Sequence, residues 1–259
     1  MWCAINMTVR DIPKTHPRYD SLNIRSKIAD NFIRGIIMPD GLVAHGRGEA
    51  FDYIIGEKTM PFSITSINAA VAKLLLSSTP VISINGNVAS LVPDEIIEFS
   101  RISKIQLEIN LFHRTKKRID LVNTLLRDHG GKKILGTNNR YITQLPDLKS
   151  NRRFVDTRGI FKADVVFVPL EDGDRAESLR TMNKEVITVD LNPFSRTAKT
   201  SNITIVDNIV RVIPLMITKY TEMCKLSKAN LNQILEKYDN DKNLNYAIVH
   251  ISNRLKKLK

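Results

Sequence analysis

Cysteine is nearly absent. Cys3 and Cys224 are the only two in 259 residues. They stand in no CxxC or metal-ligand spacing, which argues against a disulfide framework and leads us to expect a reducing, cytoplasmic setting. Long apolar runs are also missing: none approaches the ~20 residues that span a bilayer, and the opening MWCAIN is too short for a signal peptide. Met7 serves equally well as a start, with MTVRDIPK opening the domain. The five histidines show no HxH or HxxxH spacing, which speaks against a metal hydrolase. There is no nucleophile elbow with a Ser-His-Asp or Cys-His order, no P-loop and no GxGxxG, and no internal repeat or low-complexity tract. Aromatic residues are only 6% and form no stripe with basic ones. The net charge of +12, from 39 Lys and Arg against 27 acids, attracts phosphates. Without such a stripe, however, no nucleic-acid partner is expected, and no membrane partner either. Part of the basic excess is structural: the tail RLKKLK reads as the basic end of a helix, where cations meet the negative end of its dipole.

The remainder is an ordinary globular composition, 42% apolar and 25% charged. Apolar runs rich in Val and Ile at 165–170, 186–189 and 203–206 suit strands buried on both faces. Residues 81–85 (VISIN) and 105–111 read as further strands. Helical periodicity marks 22–38, with Asp20 or Ser21 as its cap, then 50–55, 64–77, 93–100 and 116–129, with Thr115 as a cap. It returns at 209–223, 231–238 and 244–258, with a turn at 239–243. Residues 39–41 (Pro-Asp-Gly) read as a turn, and 130–162 is the least regular part. Alternating strands and helices indicate an α/β domain with a mainly parallel sheet.

Chemistry gathers where the apolar runs stop. In an open α/β sheet, ligands bind at the carboxyl ends of the strands. Here those ends carry Glu171-Asp172-Gly173-Asp174-Arg175, Asp190-Leu191-Asn192-Pro193 and Asp207-Asn208. Three such ends in a row point to a nucleotide or phosphate site. Asp190 ends a strand 18 residues beyond Asp172, near the spacing at which an acid holds ribose hydroxyls. The preceding loop is acidic, not glycine-rich, which fits a magnesium nucleotide better than a dinucleotide. Asp172, Asp174 and Asp207 are the candidate Mg²⁺ ligands, with Arg175 and Arg196 as countercharge. Arg25 falls on the apolar stripe of its helix, where an Arg is costly unless it meets an anion. In His45-Gly46-Arg47-Gly48-Glu49, two glycines allow close backbone approach while Arg47 forks onto phosphate. Gly86-Asn87 after a strand is a candidate phosphate cradle. Lys116-Lys117-Arg118 reads as a solvated helix face, 149–153 as surface, and His129 and His250 as structural or surface residues.

The blocks IPKTHPRY, GLVAHGRGEAFDYIIGE, PVISINGNVASLVP, LEINLFHRT, ADVVFVPLEDGDR, DLNPFSRTA and ITIVDNIVR together closely resemble the archaeal 4-phosphopantoate–β-alanine ligases, or phosphopantothenate synthetases. The likeness runs from about residue 12 to the end, and His113 stands where the family has Tyr. The divergent stretches are 1–11, 130–162 and the Lys-rich terminal helices. The resemblance implies a single Rossmann-like domain over 1–259, with 1–11 a variable lead and 225–259 a helical end, assembled as a homodimer. It implies that ATP and 4-phosphopantoate form a phosphopantoyl-adenylate and pyrophosphate, and that β-alanine then yields 4′-phosphopantothenate and AMP. It places ATP contacts on Arg25, Arg47, Asp190, Leu191, Asn192, Arg196, Thr197, Asn208 and Ile209. For such a reaction, His45 or Glu49 suits the base that takes the amine proton. Lys14 or Arg47 suits the charge developing at the α-phosphate.

Overall fold

The computed structural model describes residues 12–145, 148–170 and 172–257. The readings of Cys3, of the two possible starts, of Glu171 and of the last two tail residues fall outside the described residues. The apolar runs become short strands: β1 (Val81–Ile84), β2 (Gln106–Ile109), β3 (Ile134–Leu135), β4 (Ile142–Gln144), β5 (Phe154–Asp156), β6 (Val165–Phe167), β7 (Glu185–Val189) and β8 (Ile203–Ile205). Six of them form one sheet in the order β3-β2-β1-β6-β7-β8. Every pairing in it is parallel, with Ile82 opposite Leu107 on one side of β1 and Phe167 on the other. β4 and β5 pair antiparallel as a separate ribbon. With the six sheet strands counted in chain order, this is the doubly wound order 3-2-1-4-5-6, whose reversal between β1 and β6 opens a crevice for ligands.

Both faces of the sheet are covered, which is why its strands read as continuous apolar runs and not as alternations. Val165 and Phe167 point into one core and Val166 and Val168 into the other, the period of two of a strand. The first core is completed by α3 (Pro61–Leu76), α5 (Pro93–Ser103), α6 (Lys116–Asp128) and α9 (Ile209–Met223). The second is completed by α7 (Gly173–Thr181) and by Leu145, Leu148, Val155 and Ile160 from the irregular excursion. α1 (Tyr19–Ile33) and α2 (Pro39–Ile55) precede the sheet, and α4 (Gly86–Leu91) and α8 (Arg196–Thr200) are short turns after β1 and β7. α10 (Lys228–Glu236) and α11 (Asn240–Lys256) close the chain, α11 lying on α2 and α3.

Several expectations change. Residues 39–41 are the first turn of α2, not a separate turn: Pro39 sits at a helix start, where a missing N–H costs nothing. α2 then runs unbroken through residues 45–49, so that stretch is helical and its backbone amides are largely used inside the helix. α1 stops at Ile33, and Gly35, at φ +78°, turns the chain. Ile36 and Ile37 are buried beyond the helix, while Phe32 and Ile33 are exposed. The cap position of α1 is Arg18, which makes no side-chain capping bond; Asp20 lies in the first turn. Residues 239–243 are not a free turn: Asp239 caps α11, accepting from Lys242 N at 2.9 Å. Thr115 caps α6 as expected, and Asn208 caps α9. His129 meets Asp94 and His250 donates to Ile55 O, structural roles for both.

Candidate functional site

The carboxyl ends of β1, β2, β6, β7 and β8 open onto a cavity of about 550 Å³, a size suited to a small-molecule site. Asn85, at the end of β1, holds two strand ends together. Its Oδ1 accepts from Val88 N at 3.0 Å, and its Nδ2 donates to Leu170 O at 3.0 Å beyond β6. Gly86 must be glycine: a Cβ there would lie 2.5 Å from Ile36 O and 2.8 Å from Arg118 Nη2. The other wall is α2, which contributes His45, Arg47, Gly48 and Glu49.

Asp190, Leu191, Asn192, Asn208 and Ile209 line the cavity together with Arg47, so the β7 and β8 ends and α2 meet as the sequence suggested. Asp190 accepts from Ser195 Oγ and from Asn192 N. Burial pushes its carboxyl up, and these bonds and the nearby Arg47 oppose that. Asn208 Nδ2 donates to Asp52 Oδ2 at 2.8 Å, inside a knot in which Arg211 bonds both Asp52 and Asp207.

Arg25 departs from its expected place. Its side chain is 45% exposed and its anion is Glu49, at 2.8 Å. It belongs to the outer edge of α1, because α2 supplies a carboxylate there. Glu49 also accepts from Ser21 at 2.7 Å. Burial would raise the Glu49 carboxyl, yet the bonds from Arg25 and Ser21 outweigh it and hold it below the usual carboxylate range. His45 differs. Burial lowers its pKa, Glu49 raises it and Arg25 lowers it further, with a net fall, and its Nε2 is buried with no hydrogen-bond partner among the described residues. Lys14 is exposed in the loop before α1 and Thr197 is buried in α8; neither lines the cavity. Arg196 faces Asp174 and Glu177 across α7, also outside the lining.

The three candidate metal carboxylates are held apart. Asp172 caps α7 and pairs with Arg152 at 3.1 Å, Asp174 faces Arg196, and Asp207 is 1% exposed, bonded by Thr59 and Arg211. Among the described residues, no group of three or more His, Cys, Asp and Glu side chains could hold a metal ion. Only Asp172 of the three reaches the cavity. Among the described residues the three therefore form no common metal cage.

Two cations escaped the sequence reading. The sequence around Arg118 suits a solvated face, but the side chain turns into the cavity, where it donates to Ile36 O at 2.9 Å and His113 O at 3.0 Å. Arg152 was assigned to the surface, yet it is 7% exposed and lines the same cavity. Neither sits in a pattern that separates it from its neighbouring Lys and Arg. At the rim, His113 Nε2 meets Asp40 Oδ2 at 2.6 Å, bridging α2 to the segment after β2.

Comparison with known proteins follows the same lines. The sequence profile of the phosphopantothenate/pantothenate synthetase family matches residues 62–254. The chain is similar to the 4-phosphopantoate–β-alanine ligase of Thermococcus onnurineus (strain NA1), 52% identical over 248 residues, 95% of this chain and 94% of that protein. It is likewise similar to the enzyme of that name from Methanosarcina mazei, 47% identical over 250 residues, 95% and 96% of the two chains. With the one from Methanospirillum hungatei it shares 44% over 212 residues, 82% and 86%.

Proposed function

The chain belongs to the phosphopantothenate/pantothenate synthetase family, and from that membership we infer that it is an ATP-dependent 4-phosphopantoate–β-alanine ligase of coenzyme A biosynthesis. The observation that carries this is 44% to 52% identity, over 82% to 95% of this chain, to three enzymes of one name. A cavity across five strand ends, lined by Arg47, Asp190, Asn192 and Asn208, is the physical counterpart.

A carboxylic acid does not condense with an amine in water until one of its oxygens becomes a leaving group. The carboxylate oxygen of 4-phosphopantoate attacks the α-phosphorus of ATP, the bond to the β-phosphate oxygen breaks, and pyrophosphate departs with that electron pair. The amine of β-alanine then attacks the acyl carbon, the bond to AMP breaks, and the ammonium proton passes to a base. Both substrates are anionic, so catalysis rests on offsetting their repulsion and on positioning. Asn192, Asn208 and Ile209 take the nucleotide, Asp190 its ribose, and Arg47 the charge at the α-phosphate. Arg25, Arg196, Thr197 and Lys14 stand outside the cavity lining, with Arg25 on Glu49 and Arg196 on Asp174 and Glu177. His45 fits the base better than Glu49, whose lone pairs are engaged by Arg25 and Ser21. A magnesium ion carried by ATP would offset phosphate charge, and Asp172, the one of the three candidate carboxylates that lines the cavity, would help to hold it.

Incubation with ATP, 4-phosphopantoate and β-alanine, followed by nucleotide separation, is expected to give AMP and pyrophosphate, and nothing in excess EDTA. ADP with inorganic phosphate would overturn the adenylate route, and full turnover in EDTA the magnesium requirement. The family likeness also supports a homodimer acting in the cytoplasm, and among the described residues no helix is long and apolar enough to cross a membrane. Sedimentation at the mass of one chain would remove the dimer; recovery of the protein with membranes would remove the location.

A further inference from the structure

We propose that Asp52 is a positioning residue for the nucleotide, acting through Asn208. The inference deepens the ligase reading and rests on it, since Asn208 and Ile209 are its proposed nucleotide contacts. Asp52 lies on α2, is 6% exposed and does not itself line the cavity. Its Oδ2 accepts from Asn208 Nδ2 at 2.8 Å. Arg211, the third residue of α9, forks onto the same carboxylate, from Nη2 to Oδ1 at 2.6 Å and from Nη1 to Oδ2 at 3.2 Å. That guanidinium also bonds Asp207 Oδ1 from Nε and Nη2, at 2.9 and 2.6 Å. Asp207 accepts in turn from Thr59 Oγ1 and from the backbone N–H of Asn208. Two carboxylates, one guanidinium and one amide thus tie α2 to the start of α9.

The knot fixes which way the Asn208 amide faces. An ionised carboxylate only accepts, so the NH2 end is the one turned to Asp52. The Oδ1 end accepts from Val210 N at 3.2 Å as the cap of α9. Turned over, the amide would set its oxygen against Asp52 and its NH2 against the Val210 N–H, losing both bonds. One N–H and one lone pair are left for a ligand, on a residue that lines the cavity. The knot also fixes how α2 presents its own side chains. Asp52 follows Gly48 by four residues and His45 by seven, so the three share one face, with Asp52 about 10 Å beyond His45 along the axis. His45 and Gly48 line the cavity, and the bonds at Asp52 set the rotation of the helix at which they do so. Packing already joins α2 to the core three residues on, where Ile55 is fully buried. What the polar knot adds is orientation, because each of its bonds has a direction and dispersion contacts have none.

The test is steady-state kinetics on wild type, Asp52→Asn, Arg211→Lys and Asn208→Ala, with the melting temperature of each. The asparagine keeps the shape and sets an NH2 against the donors of Arg211 or Asn208. The lysine keeps a cation between the carboxylates and loses the fork; it decides alone if Asp52→Asn does not fold. In both, the KM for ATP is expected to rise about 10- to 30-fold, while that for 4-phosphopantoate moves less than about twofold. A merely structural role would lower the share of active protein, and with it kcat and the melting temperature, and leave each KM where it was. That outcome, or an equal rise in both KM values, would overturn the positioning role. Asn208→Ala keeps the failures apart. A KM for ATP that rises in it but in neither of the other two would remove Asp52 alone. A KM for ATP unchanged in it would remove the nucleotide contact at α9, and wild type that releases no pyrophosphate with 4-phosphopantoate would remove the ligase reading itself.

Discussion

His45 and Glu49 lie one helical turn apart on α2, and their surroundings give them opposite chemistry. Glu49 is locked as an anion by Arg25 and Ser21, while burial keeps the His45 imidazole neutral down to a lower pH than usual. A neutral imidazole with a free ring nitrogen accepts a proton; a carboxylate held below its usual range does so poorly. His45→Gln is therefore expected to slow the β-alanine half-reaction by about 100-fold while pyrophosphate exchange with ATP and 4-phosphopantoate continues. The acid limb of the wild-type pH profile, lying below the ordinary imidazole value, should vanish with it. Equal losses in both half-reactions would end this assignment. At this scale the sequence was readable where a residue type is unusual for its place: Arg47 between glycines, and Asp190 and Asn208 after apolar runs. Arg118 and Arg152 were not, because Lys116-Lys117-Arg118 and Asn151-Arg152-Arg153 carry no signal saying which cation turns inward. That depends on Ile36 O and Asp172, both distant in the chain.

Among the elements, α2 diverged furthest from expectation. Gly41, Gly46 and Gly48 read as loop punctuation, since glycine costs a helix interior about 0.5–1 kcal/mol relative to alanine. Tertiary packing overrides that cost. Ile55 is fully buried against the α11 residues Leu244, Ala247 and Ile251, and Arg211 bonds Asp52 from α9. The glycines also differ in purpose. A Cβ on Gly41 would meet Asn87 Oδ1 at 2.5 Å, whereas one on Gly46 would meet nothing within 4 Å. Gly46→Ala is accordingly expected to raise the melting temperature by about 2–4 °C and leave turnover unchanged. A lower melting temperature would mean that residue 46 serves something besides the helix.

Across the whole molecule, one buried carboxyl links the sheet to the excursion that carries Arg152. Glu108 sits within β2, fully enclosed, and accepts from the backbone N–H of Asp156 at 2.8 Å and Ile160 at 2.6 Å. Burial raises its pKa from 4.5 to about 7; those two bonds and Arg175 oppose the rise, and the Asp156 charge adds to it. The folded state thus binds more protons than the unfolded one between these values, so this contribution is complete below about 4.5 and lost as pH rises to about 7. Urea unfolding of wild type and Glu108→Gln across pH 5 to 8 should show the wild type losing up to roughly 3 kcal/mol more than the variant. Parallel profiles would refute the role of Glu108. The sequence by itself determined five of the six strands of the sheet, because a strand buried on both faces must be apolar throughout; β3, two residues long, lay in the stretch read as irregular. It also determined the parallel α/β class and, through long blocks of side chains, the family. Only the tertiary structure decided which charges face the cavity and that residues 45–49 are helical. It alone decided too that Asp172, Asp174 and Asp207 part to three different arginines. Each of these rests on partners brought close by the fold, and local periodicity holds no record of them.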